Sequence, residues 1–108
     1  MNSAERRAAR WYRLRGWRIL GSNLWAAGNE VDLIVRRGRS LRFVEVKEKR
    51  GHDYGDPLEM VGAEKQRRLR RAAEAWLAAY PDLTGLEVAF EVVGVREGRL
   101  GRIPLELS

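Results

Sequence analysis

Asp32, Glu45 and Lys47 form the strongest chemical signal in the sequence. They sit in two runs rich in Val, Leu, Ile and Phe, residues 30–36 and 41–47, separated by Arg37-Gly38-Arg39-Ser40, which has the composition and length of a tight turn. A four-residue turn puts Val35 opposite Arg42, Leu33 opposite Val44 and Asp32 opposite Glu45. The pleat then places Val31, Leu33, Val35, Val44 and Val46 on one face, which reads as core, and Asp32, Ile34, Phe43, Glu45 and Lys47 on the other. Directly opposed carboxylates repel and destabilise a sheet, a cost that a cation between them removes. Carboxylate oxygens are hard ligands, so the pair points to Mg²⁺ or Mn²⁺ in preference to zinc. Lys47 projects from the same face, where its ammonium could hold a phosphate oxygen or help to deprotonate a water. Glu5, on the flank of the first helical segment, is the best candidate for a further acid near the metal. A Glu-x-Lys pair is also common on solvated strands. Here, however, Phe43-Val44-Glu45-Val46-Lys47 is apolar apart from its two chemical residues, whereas a solvated face would be polar. Together these are parts for hydrolysing a phosphodiester without histidine or cysteine.

The composition narrows the alternatives. With 108 residues, one domain spanning residues 1–108 around a single core is the expectation, and 44% hydrophobic with 33% charged residues suits a folded chain. The absence of Cys excludes disulfide scaffolds, thiolate zinc sites and Cys nucleophiles. The single histidine, His52, excludes two-histidine metal motifs and argues against a His-based triad; it reads as a loop residue. A net charge of +6 favours a polyanionic partner, with nucleic acid first. Lys occurs only at 47, 49 and 65, so codon bias toward Arg is the bland alternative, and the placement of the charge has to decide. No secretory h-region and no run of about 18 apolar residues is present, so a cytoplasmic protein without membrane contact is expected.

The flanking segments must position the hairpin. Residues 3–15 read as an amphipathic helix capped by Ser3, with Glu5 in its first turn, Ala4, Ala8, Trp11 and Leu14 or Arg15 at helical spacing, and Gly16 at its end. Residues 17–20 are a short strand candidate, followed by an irregular connection through Gly28 and Asn29. Residues 48–56 read as a loop, and Asp56-Pro57-Leu58-Glu59 as a helix start with a cap, a proline at the first position and a reciprocal Glu. Gly62 interrupts or restarts that helix. Residues 63–80 form the longest helix, with Leu69, Ala72, Ala73, Trp76, Leu77 and Tyr80 on its buried stripe and Pro81 ending it. Residues 86–95 are strand-like, Glu97-Gly98 makes a turn, and residues 100–103 return as an edge strand. This order argues for an α/β fold, a mixed sheet covered by two helices. Trp11, Trp17 and Trp76 fit core positions, while Trp25 could stack on a base or cover an edge. Glu30 neighbours the metal face and could support the metal ligands there, but pairing with a nearby Arg is the expectation.

Glu5 with Ala8, Gly16-Trp17-Arg18-Ile19-Leu20, Asn29-Glu30-Val31-Asp32-Leu33-Ile34, Phe43-Val44-Glu45-Val46-Lys47, Tyr54-Gly55-x-Pro57-x-Glu59-x-Val61 and Lys65 resemble the bacterial YraN family. That family is similar in turn to archaeal Holliday-junction resolvases and to the restriction-endonuclease-like, PD-(D/E)-x-K nucleases. The resemblance runs to about Val95. Val31 stands where many of these nucleases have proline, and Glu48-Lys49 where YraN proteins usually show Thr-Arg.

The resemblance implies a restriction-endonuclease-like core. It also implies that Glu5 is the first-helix acid, Asp32 and Glu45 are metal ligands for Mg²⁺ or Mn²⁺, and Lys47 is the motif lysine of a DNA endonuclease. Branched DNA is the implied substrate, and a homodimer would cut two strands symmetrically. Lys65, Arg67, Arg68, Arg70 and Arg71 on the long helix, and Arg6, Arg7, Arg10 and Arg13 beside Glu5, are arranged to hold a phosphate backbone without reading bases. The competing expectation is a nucleic-acid-binding or adaptor module that keeps the nuclease fold without its activity. An acidic cluster inside a basic surface argues against it, because it gives a binder of polyanions no advantage.

Overall fold

A computed structural model of the chain describes residues 1–49, 62–97 and 99–105. The expected loop with His52, the motif residues Tyr54 and Gly55, the helix start at residues 56–59 and the Gly98 half of the last turn lie outside the described residues. The elements run α1 (Ser3–Leu14), β1 (Arg18–Ala26), β2 (Asn29–Arg37), β3 (Ser40–Lys49), α2 (Ala63–Ala78), a short 3₁₀ turn (Pro81–Leu83), β4 (Glu87–Arg96) and β5 (Arg99–Leu105). The strands form one sheet in the order β1-β2-β3-β4-β5. Neighbours are antiparallel except β3 and β4, which are parallel. A parallel pair needs a crossover connection, and the segment carrying α2 supplies it. This is the mixed sheet with two helices that the sequence implies.

Helix α1 begins with a reciprocal cap on Asn2, one residue earlier than expected. The Asn2 side chain accepts a hydrogen bond from the Glu5 backbone N–H, and the Glu5 carboxylate accepts one from the Asn2 N–H, each at 2.8 Å. Asn2 rather than Ser3 is the cap because Glu5 then occupies the third helical position, where its side chain can reach back. The buried stripe is Ala4, Glu5, Ala8, Ala9 and Tyr12. Leu14 is exposed, so the stripe passes through Tyr12. Gly16 follows with φ +85°, a left-handed turn that glycine adopts without strain.

Strand β1 is longer than the expected 17–20 and absorbs most of the supposed connection. Its period-two pattern is hidden by a register shift between Ile19 and Gly21 and by Asn23 at φ +48°. The central hairpin has the expected register, with Leu33 opposite Val44 and Val35 opposite Arg42; Arg37 also pairs with Ser40, leaving Gly38 and Arg39 as the turn.

The sheet has a core on each face. Helix α1 packs Ala4, Ala8, Ala9 and Tyr12 with Trp17, Leu33, Val35, Val44 and Val93. On the other face α2 contributes Leu69, Ala72 and Ala73 to a cluster with Ile34, Leu41, Phe43 and Val92. Val31 belongs to this second cluster, not to the one containing Leu33 and Val35 as alternation predicts. The alternation of β2 is therefore broken between Val31 and Leu33, and Asp32 occupies the break. Trp11 and Trp76 are partly buried against the two cores, Tyr80 and Trp25 are exposed. Among the described residues no helix is long and apolar enough to cross a membrane.

Candidate functional site

The break in β2 brings three acids together from two elements. Carboxylate oxygens of Glu5 from α1, and of Glu30 and Asp32 from β2, all lie within 4.8 Å of one another. Asp32 and Glu45 do not form a ladder pair; the pairing of β2 with β3 ends at Leu33 and Val44. Asp32 Oδ2 instead accepts a hydrogen bond from the Val46 backbone N–H at 2.8 Å, so the carboxylate itself bridges the two strands. Glu5 is held by its cap contact through Oε1, while its Oε2 accepts from Asn23 Nδ2 at 2.6 Å. The same amide nitrogen donates to Glu30 Oε1 at 3.0 Å. Glu30 therefore does not take the Arg partner expected of it: Asn23 links it to Glu5 and turns it into the acidic cluster.

Asn23 was not legible as a site residue. The available signal was its type, since Asn tolerates the left-handed backbone that turns its amide between two strands. Among the described residues no Lys or Arg pairs with Glu5, Glu30 or Asp32. Burial, and then the nearby Glu45 charge, push the Asp32 carboxyl up to about 8. Glu5 and the contact with Glu30 push in the same direction, and the Val46 N–H opposes them.

Glu45 lies beside this cluster but outside its tightest group, and its two oxygens have different surroundings. Oε1 is 3.2 Å from Lys47 Nζ and 3.4 Å from Lys65 Nζ. Oε2 is buried and has no hydrogen-bond partner among the described residues. Lys65, expected among the phosphate contacts of the long helix, is thus a second lysine at the acidic site. Its neighbours Arg67 and Arg68 are exposed and pair with Glu64, and Arg71 is exposed. Arg6 and Arg10 are exposed on α1, Arg6 donating to the Met1 carbonyl.

A second buried acid provides the contrast. Glu91, 3% exposed, accepts from the Tyr12 hydroxyl and pairs with Arg42 at 3.1 Å and Arg102 at 3.5 Å. Where this chain buries a carboxylate for structure, it supplies cations. Glu5, Glu30, Asp32 and the free oxygen of Glu45 lack them, and the donor set is all oxygen, which fits Mg²⁺ or Mn²⁺.

Relatives share this chain over most of its length. A UPF0102 protein of Rhizorhabdus wittichii is 48% identical over 101 residues, covering 90% of this chain and 80% of its own. UPF0102 proteins of Syntrophotalea carbinolica and Symbiobacterium thermophilum are 44% and 42% identical, covering 82% and 97% of this chain and 72% and 88% of theirs. The family model matches residues 4–95, which contain α1, the hairpin with Asp32, Glu45 and Lys47, and α2. The chain belongs to the uncharacterised protein family UPF0102, the family of the YraN proteins.

Proposed function

We propose that this protein is a metal-dependent DNA endonuclease, with branched DNA as its substrate class. The observation that carries this reading is the group of buried and half-buried acids with no matching cation among the described residues, set beside Glu45, one oxygen of which holds two lysines while the other has no partner there. Asp32, Glu5 and Glu45 would hold Mg²⁺ or Mn²⁺, with Glu30 added to the set by its position. Bound there, the ion would acidify a water and draw charge from a phosphate oxygen.

The chain's own residues account for the remaining requirements. Lys47 and Lys65, 28% and 38% exposed, present ammonium groups at the edge of the acids, where they can offset charge that builds on the phosphate oxygens during attack. Asn23 and the Asn2 cap fix the orientation of Glu5 and Glu30. The exposed Arg6 and Arg10 on α1, and Arg67, Arg68 and Arg71 on α2, supply backbone contacts; the exposed Glu64 pairs of Arg67 and Arg68 are weak enough to exchange for phosphate.

The test is incubation of the purified protein with branched, nicked and single-stranded DNA in Mg²⁺ or Mn²⁺, alongside Asp32→Ala and Lys47→Ala. Metal-dependent cutting that both variants lose supports the reading. Cutting unchanged in both variants marks a contaminant and overturns it. Salt-sensitive binding with no cutting of any substrate would identify a nucleic-acid-binding module that keeps the fold without the chemistry. Sedimentation with and without junction DNA tests the homodimer that paired incision would use.

A further inference from the structure

At the other end of β2 from the acids lies a cavity of about 370 Å³ lined by Gly16, Arg18, Arg36, Arg37 and Gly38. Three arginines line it, and among the described residues none of them forms an ion pair with a carboxylate. Two other arginine pairs do meet an acid: Arg42 and Arg102 converge on Glu91, and Arg67 and Arg68 on Glu64. Backbone contacts explain part of the placement of the cavity arginines. Arg37 Nη1 donates to the Arg15 carbonyl at 3.1 Å, at the end of α1, and its guanidinium lies 4.7 Å from the Trp17 ring centre. Arg36 Nε donates to the Gly38 carbonyl at 3.1 Å. Each of these uses one of five donors and leaves the charge unmatched. A concave, polar site with three guanidiniums and no acid is chemically complementary to phosphate.

Its position suggests which phosphate. Arg36 is four residues from Asp32 on β2, about 13 Å at strand rise. Gly16 is eleven residues from Glu5, about 16 Å along the helix that ends beside it. A few nucleotides of backbone span such distances, so the two sites can hold separate phosphates of one strand. We propose that the Arg18/Arg36/Arg37 cavity is a backbone anchor for a polynucleotide whose scissile phosphate lies at the Asp32 acids. The choice of a polynucleotide over a free anion rests on the hydrolytic reading above. The anchor sets the register of the strand and reads no bases.

The full-length protein is titrated with a duplex of about 20 base pairs in EDTA across a salt series, so that neither metal nor turnover enters the measurement. Arg18→Gln/Arg36→Gln keeps the Arg37 contact at the end of α1 and is compared with Arg96→Gln/Arg99→Gln, which removes the same charge elsewhere. The expected result is at least fivefold weaker binding than the control double, with a salt slope lower by about 1–2. Adding Arg37→Gln deepens both losses. Equal losses in the two doubles overturn the proposal. Inorganic phosphate supplies the second arm, read by the Arg side-chain Nε resonances of labelled protein. If it shifts those of Arg18 and Arg36 while duplex binding matches the control, the cavity serves a small anion and the polynucleotide assignment fails. An Asp32 centre that cuts nothing leaves these readings unchanged, so failure of the hydrolytic reading and failure of the anchor are separable.

Discussion

Asp32 Oδ2 accepts the backbone N–H of Val46 just beyond the last ladder pair of β2 and β3, at 2.8 Å. The same register continued would set Asp32 opposite Glu45 as two repelling side chains. The strands instead stop pairing, and the carboxylate takes the place of a backbone acceptor. It thereby lies between the strands, close to Glu5 from the α1 side and to the charge of Glu45.

That contact separates two substitutions usually treated as equivalent. Asp32→Asn retains an oxygen for the Val46 N–H, whereas Asp32→Ala leaves a part-buried donor unsatisfied. Asp32→Ala is expected to be less stable than Asp32→Asn by about 1–3 kcal/mol in urea unfolding, although both lose metal-dependent activity. Equal stability of the two variants would show that the Val46 contact contributes nothing.

The raised Asp32 carboxyl fixes the sign of a pH dependence. It titrates at about 8 in the folded protein, against an ordinary value of 3.8. Between those values the folded state holds a proton that the unfolded state has released, so metal-free stability falls as pH rises from 4 to 8 and then levels. Asp32→Asn should flatten this slope and be roughly 2–4 kcal/mol more stable than wild type at pH 8. Because a cation competes with that proton, Mn²⁺ affinity should rise about tenfold per unit toward pH 8. Thermal unfolding across pH and calorimetric titration with Mn²⁺ measure the two effects.

Asn23 holds Glu5 and Glu30 through one amide nitrogen, from a backbone at φ +48°. Asn23→Ala removes both contacts and puts a less tolerant residue in the left-handed region, costing about 1–2 kcal/mol. Mn²⁺ affinity should fall by about tenfold, in the range seen when residues that orient metal ligands are removed. Asn23→Asp adds a fourth carboxylate to Glu5, Glu30 and Asp32 and should lower metal-free stability as pH rises while raising Mn²⁺ affinity above pH 7. Unchanged Mn²⁺ affinity in Asn23→Ala would remove Asn23 from the site.

The Glu91 group is expected to behave in the opposite way. Glu91→Gln strands two partly buried guanidiniums beside a neutral amide and should cost about 3 kcal/mol. Tyr12→Phe, which removes only the hydroxyl, should cost about 1–2 kcal/mol. Neither should alter Mn²⁺ affinity or the metal requirement of cutting, because the structural acid already has its cations. A loss of Mn²⁺ binding in folded Glu91→Gln would merge the two sites.

The hairpin was legible in the sequence, because a short turn between two apolar runs sets its register from Leu33 opposite Val44 to Arg36 opposite Leu41. Counting one step further to an Asp32/Glu45 pair failed, since the ladder ends there and the Asp32 side chain takes the Val46 N–H. The helices were legible because a cap and a buried stripe are contacts between residues three or four apart. Strand β1 was hidden because the Gly21 register shift and the left-handed Asn23 break the alternation that identifies a strand.

The tertiary structure decided which groups meet. Glu5 and Glu30 are 25 residues apart in sequence and converge only because α1 lies across the sheet, with Asn23 between their carboxylates. Lys65 reaches Glu45 because the crossover packs α2 on the other face. Arg18, Arg36 and Arg37 line one cavity because β1 and β2 pair at that end of the sheet. Local spacing determines which face of an element a side chain occupies. Only packing between distant elements determines which charges that face must balance.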